Sequence, residues 1–256
     1  MFPRLIPNLL ALAGLVVQSP AARADDGPRL GSFNSGGKTV TVEQFVPAGK
    51  GKFPVLLLLH GSDGLGKRGD GYRAAARQIA GHGYAVLLVH YFDRTGTTYA
   101  GPDEIRRNFL AWVATVHDGV AYAARLPYAD PARVGLVGYS LGGYLSLSAA
   151  ALAWKDEYRV GVVVEFFGGL PSLLRLRATA LPPTLILHGE KDDVVSPREA
   201  RELEKLLRSA KVPYEVRIFP GQGHGFSDEV SREAMKVGFA FLDRHLAPRT
   251  RQASGK

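Results

Sequence analysis

Hydrophobic residues are spaced along the chain in two alternating patterns. Residues 54–60 form a short, almost wholly apolar run that ends in His60-Gly61. Runs of that length without alternation suit strands buried on both faces of a parallel sheet. The same logic predicts strands over 84–90, 133–139, 160–167, 184–188 and 214–219. Residues 39–46 instead alternate, with Val40, Val42 and then Phe45 on the apolar side, and predict an early strand. Between these runs the period lengthens to that of a helix. Helices are expected over 72–81, 103–126, from 140 to about 153, 197–209 and 231–245. Residues 103–126 carry Ile105, Phe109, Trp112, Val113 and Val116 at helical spacing. Strands alternating with helices predict an α/β fold: one mostly parallel central sheet with helices on both faces. No linker separates two cores and no internal repeat is evident. In such sheets ligands bind beyond the C-terminal ends of the strands.

The N-terminus breaks this pattern. Arg4 precedes a mostly apolar stretch, 5–17, and Ala22-Arg23-Ala24 then supplies small residues. This reads as a signal peptide over 1–24, cleaved after Ala24, and an exported protein, periplasmic or secreted. The apolar stretch is too short for a span, which needs about 20 residues. No stable membrane span is therefore expected after cleavage. Residues 25–38 are polar and Gly-rich and are expected to be a flexible lead-in, 39–246 the folded domain, and 247–256 a basic tail.

Composition narrows the chemistry. The chain has 256 residues, a net charge of +8 and no cysteine. Disulfides, thiolate metal sites and a cysteine nucleophile are excluded. The positive charge is dispersed, with no aromatic-interleaved basic stretch, so nucleic acid is not an expected partner. A small-molecule substrate is, and the oligomeric state is left open.

The candidate chemistry falls where the predicted strands end. Gly138-Tyr139-Ser140-Leu141-Gly142-Gly143 places G-x-S-x-G at a strand-to-helix junction. A sharp turn there strains the serine and exposes its hydroxyl at a helix N-terminus, where developing negative charge is favoured. The bland alternative is that Ser140 merely caps the helix. A serine hydroxyl needs a base to become a nucleophile. His224 lies in Gly221-Gln222-Gly223-His224-Gly225-Phe226, just after the last strand, with glycines on both sides. The base needs a carboxylate to fix its tautomer. Asp192 and Asp193 both follow the strand ending at His188-Gly189, and spacing leaves the two open. The order Ser, Asp, His is that of α/β-hydrolases. An oxyanion hole would take one N–H from Leu141 and one from the Gly-rich loop 60–64, with Ser62 as the candidate. His60, His90 and His188 all end apolar strands, but no metal-binding spacing joins them, so no metal is expected. Tyr91 and Arg94 are candidate substrate contacts, because they begin the loop after the strand ending at His90. Glu165 interrupts a buried strand and must be paired or protonated. It is expected either near the site or against a structural arginine.

Together, loop 60–64, Gly138-Tyr139-Ser140-Leu141-Gly142-Gly143, His188-Gly189 with Asp192 and Val195, and Gly223-His224-Gly225-Phe226 resemble the dienelactone hydrolase family of α/β-hydrolases. The resemblance runs from about residue 55 to 245. It implies the α/β-hydrolase fold without a large lid domain, no cofactor, and a triad of Ser140 as nucleophile, Asp192 as acid and His224 as base. The preference for Asp192 over Asp193 comes from this resemblance. The enzymes that name the family use a cysteine nucleophile, a glutamate where this chain has Gly61, and arginines for a substrate carboxylate, one of them shortly after the histidine. Here Phe226-Ser227-Asp228 follows His224. A serine esterase acting on small to medium carboxylic esters is the resulting expectation. Its rivals are a serine peptidase of the same fold and a non-catalytic binding protein on a hydrolase scaffold.

Overall fold

The computed structural model describes residues 27–152 and 158–246. The proposed signal peptide and the basic tail lie outside the described residues. The strands are β1 (Arg29–Ser35), β2 (Lys38–Phe45), β3 (Phe53–Leu59), β4 (Ala85–Val89), β5 (Ala129–Tyr139), β6 (Val160–Phe166), β7 (Thr184–Gly189) and β8 (Tyr214–Phe219). The helices are α1 (Gly69–Gly81), α2 (Pro102–Ala124), α3 (Leu141–Ala151), α4 (Arg198–Ser209) and α5 (Asp228–Leu246). The strands form one sheet in the order β1-β2-β4-β3-β5-β6-β7-β8. β1, β2 and β4 pair antiparallel, and the pairs from β4 through β8 are parallel. This is the α/β-hydrolase fold.

The apolar runs are the sheet's interior. Leu56, Leu57, Leu58 and Leu59 of β3 are fully buried, as two-sided coverage requires. Side chains alternate between two cores. Leu57, Leu136 and Ile186 face α2, α3 and α4 through Trp112, Leu145 and Leu203. Leu56, Leu58 and Val164 face α1 and α5 through Tyr72, Ala76 and Phe241. α3 is buried along nearly its whole length, which explains why Leu141–Ala151 lacks a polar face.

The expected lead-in 25–38 is corrected. Arg29–Ser35 is an edge strand paired residue for residue with β2. Its alternation is weak because the covered face, Gly31, Phe33 and Ser35, carries a single large apolar side chain. Phe33 supplies that face, with its ring stacked on Tyr122 of α2 at 5.4 Å between centroids. Arg94, expected near the substrate, is also placed here. Its Nη1 donates to Ser35 Oγ at 2.6 Å, and Asp118 Oδ2 lies 3.8 Å away.

A mobile lead-in would tolerate any change at Phe33. Phe33→Ala is expected instead to lower unfolding free energy by about 1–3 kcal/mol, the scale of a partly buried aromatic. Denaturant unfolding of the two proteins measures it.

Candidate active site

Ser140 sits between β5 and α3 with φ 53° and ψ −117°, a conformation L-residues rarely adopt. The turn is this tight because its neighbours are glycines. A Cβ on Gly138 would lie 2.2 Å from the Gly142 carbonyl oxygen, and one on Gly142 would lie 2.4 Å from that of Leu59. The second contact presses the N-terminus of α3 onto the end of β3. Leu141 and the loop containing Ser62 are thereby brought to the same end of the sheet.

The hydroxyl does not cap α3: no side-chain cap bond is formed. Ser140 Oγ lies 2.9 Å from His224 Nε2, and His224 Nδ1 lies 2.8 Å from Asp192 Oδ2. Of the two candidate carboxylates, Asp192 is the one placed against His224. Its other oxygen, Oδ1, accepts the N–H groups of Val194 and Val195 at 2.9 and 2.8 Å. Asp192 is only 5% exposed, and burial alone would raise its pKa. The hydrogen bonds from His188, His224 and the Val195 N–H outweigh that and hold the carboxyl well below the usual carboxylate range. Asp192 is therefore ionised at neutral pH and fixes the His224 tautomer. A base so placed can take the serine proton as the oxygen attacks an electrophilic centre.

The loop after β3 is braced from behind. Tyr72 of α1 accepts the Gly61 N–H on its hydroxyl at 2.8 Å. Tyr91 stacks on His60 at 4.1 Å and donates its hydroxyl to the His60 carbonyl at 2.8 Å. Tyr91 is fully buried, so it supports the loop and does not line a substrate pocket. His60 is itself buried, which pulls its pKa down to about 3 and keeps it neutral. Glu165 is also fully buried. Among the described residues it has no arginine partner; its Oε2 accepts the Gly168 N–H at 2.6 Å. Tyr91 and Arg94 are thus placed against the His60 carbonyl and Ser35 rather than free for a substrate, and Glu165 is buried beside the turn at Gly168.

Three features escaped the sequence. Phe167 follows β6 with φ 57° and turns its ring toward His224, 5.2 Å away, and toward Phe226, 4.6 Å away. These rings make an apolar wall beside the imidazole. Asp63, held by Arg68 at 2.7 Å, faces His224 electrostatically from the loop after β3, and burial raises its pKa. Tyr72 is 11 residues from the backbone group it holds. Nothing local in the sequence announces any of these contacts. Among the described residues no cluster of three or more His, Asp or Glu side chains could hold a metal. No helix among them is long and apolar enough to cross a membrane.

Residues 41–240 match the dienelactone hydrolase family. The protein belongs to that family. It is 27% identical over 235 residues to a carboxymethylenebutenolidase homolog of Pongo abelii, covering 86% of this chain and 90% of that protein. It is 25% identical over 237 residues to dipeptidyl aminopeptidase BIII of Pseudoxanthomonas mexicana, covering 77% of this chain. The match spans only 34% of the peptidase. A dienelactone hydrolase-like promiscuous phosphotriesterase from metagenomic libraries superposes with a TM-score of 0.74 at 17% identity, covering 85% of this chain and 97% of that one. This family membership makes the chain a dienelactone hydrolase-like hydrolase.

The buried Glu165 yields a pH prediction for the folded protein. Burial pushes its pKa from 4.5 up to about 7, against the lowering by His188 and the Gly168 N–H. Between those values the folded state binds more protons than the unfolded state, so this residue's contribution to stability falls as pH rises. Glu165→Gln keeps an oxygen for Gly168 and is expected to flatten the decline between pH 4.5 and 7. Denaturant midpoints of both proteins across that window check it.

Proposed function

We propose that this protein hydrolyses carboxylic esters of small to medium size through an acyl-enzyme on Ser140. The observation that carries the proposal is the unbroken chain from Ser140 Oγ to His224 at 2.9 Å and from His224 to Asp192 at 2.8 Å. Ser140 attacks the ester carbonyl as His224 Nε2 takes its proton, and the ionised Asp192 stabilises the imidazolium. The N–H groups of Leu141 and Ser62 hold the oxyanion, supported by the close approach of α3 to the end of β3. His224 then returns the proton to the leaving alkoxide, giving the alcohol. Water, deprotonated by the same imidazole, releases the acid and restores Ser140. Phe226, partly exposed and backed by the buried Phe167, offers an apolar surface to the substrate beside His224. Between β6 and β7 only a short 3₁₀ segment, Ser172–Ala180, rises from the sheet, which favours an open cleft and compact esters.

Peptide hydrolysis is the second reading, favoured by the similarity to the dipeptidyl aminopeptidase. The ester reading is preferred because the carboxymethylenebutenolidase homolog matches over nearly its full length, whereas the peptidase matches over about a third of its own. We further propose that the protein is exported, on the sequence of residues 1–24.

Wild-type protein is expected to cleave p-nitrophenyl acetate through octanoate in preference to aminoacyl p-nitroanilides. Ser140→Ala is expected to lower kcat/KM about 10⁴-fold or more and to abolish labelling by a fluorophosphonate. The absence of both hydrolysis and labelling in the wild type would sink this reading. Asp192→Asn is expected to cost about 10³–10⁴-fold, and Asp193→Asn only about twofold, in the same assay.

A further inference from the structure

Two buried ionisable side chains have no part in the chain from serine to aspartate. Glu165 on β6 and His188 on β7 are both fully excluded from solvent. Glu165 is in register with Ile186, two residues before His188, so both side chains leave the same face of the sheet as diagonal neighbours. Each keeps one polar atom without a protein partner, Oε1 of Glu165 and Nδ1 of His188. Orphaned atoms of this kind are costly unless they serve some purpose.

The opposite edge of the His188 ring is well used. Nε2 lies 2.9 Å from the Val195 carbonyl oxygen and 3.3 Å from Asp192 Oδ2. A carbonyl oxygen can only accept, so Nε2 carries a proton, and that N–H also faces the Asp192 carboxylate. One oxygen of Asp192 is therefore shared by two imidazoles, His224 in front and His188 behind. The same N–H grips the loop whose backbone N–H groups hold the other oxygen of Asp192.

We propose that His188, backed by Glu165, is a positioning residue for the acid of the Ser140 site. Its Nε2–H anchors the Asp192 carboxylate and residues 192–195. Its charge, set by Glu165, limits how strongly Asp192 draws on the His224 Nδ1 proton. The proposal rests on the hydrolase reading of Ser140. The other ionisable groups facing this pair are Asp192 itself, His224 beyond it, Tyr144 of α3 and Glu199 of α4, the last two meeting at Gly169. Burial alone would push the His188 pKa down, yet Asp192, Glu165 and the Val195 carbonyl raise it overall. Glu165 itself is pushed up to about 7 by burial.

His188→Gln retains a donor for the Val195 carbonyl but removes the titrating ring. Without a positive neighbour Asp192 becomes the stronger acceptor for His224. The acid limb of the kcat/KM profile for a p-nitrophenyl ester is then expected to move to higher pH by about half a unit or more, with KM nearly unchanged. Glu165→Gln is expected to move it the same way by less, because His188 then loses one of the groups that favour its charged form while Asp192 and the Val195 carbonyl remain. Uniform loss of activity in both variants with an unmoved profile would reduce His188 to packing and overturn the proposal. Histidine ¹⁵N NMR on the Ser140→Ala protein reads the same question without turnover. The proposal expects a ring that gains charge as pH falls through neutrality, and a His224 signal that shifts in the His188→Gln, Ser140→Ala double variant. A His188 ring neutral from pH 5 to 9 overturns it even where esters are hydrolysed. Charge changes at His188 in a protein that hydrolyses no ester would locate the failure in the hydrolase reading instead.

Discussion

The turn that carries Ser140 from β5 into α3 sets the terms for the rest of the site. Its backbone occupies a conformation disfavoured by about 1–3 kcal/mol, and the packing around it holds it there. Gly138 and Gly142 let the strand, the helix and the end of β3 approach within distances that no Cβ would permit. The Ser140 N–H is tied to the Phe166 carbonyl of β6 at 2.8 Å, so the strained residue is anchored on the sheet. Burial of α3 on nearly all sides makes the turn rigid. The hydroxyl consequently points away from its own helix and toward the loops beyond the strands, where His224 meets it.

Asp192 is the second fixed point. A buried carboxylate without partners would take up a proton and lose its use as an acid for histidine. Two backbone N–H groups and two imidazoles hold it ionised. These donors come from the loop's own next residues, from the end of β7, and from the loop after β8. Parallel strands deliver all three to one end of the sheet, which is why this fold can assemble the arrangement from distant segments.

The aromatic residues divide the remaining work. Tyr72 and Tyr91 pack inside the molecule, where their hydroxyls satisfy the backbone of the loop after β3. Phe167 packs beside His224 from within, and the partly exposed Phe226 packs on it. The departures from the enzymes that name the family fit this division. Glycine stands at 61, Phe226-Ser227-Asp228 rather than an arginine follows the His224 turn directly, and Asp63 adds a carboxyl facing His224.

Local pattern was enough to reveal the order of strands and helices, since a fully covered parallel strand must be apolar along its length and a packed helix must repeat its apolar side. It also revealed Ser140 and His224, because a strained turn and a reaching loop both require glycines next to the reacting residue. The edge strand Arg29–Ser35 was hidden, for a strand with one half-covered face carries too little apolar signal to stand out from a polar lead-in. Asp192 and Asp193 are chemically identical neighbours, and only the direction of the loop after β7 separates them. The destinations of Tyr91, Arg94 and Glu165 were likewise decided in three dimensions. Tyr91 and Arg94 find partners on segments packed against them, the His60 carbonyl and the Ser35 hydroxyl, while Glu165 bonds the turn at Gly168 just after its own strand and is enclosed by the packing around it. A side chain's type says what it can bond to, but the packing of elements distant in the chain determines which partner comes within about 3 Å, and so which side chains reach the site.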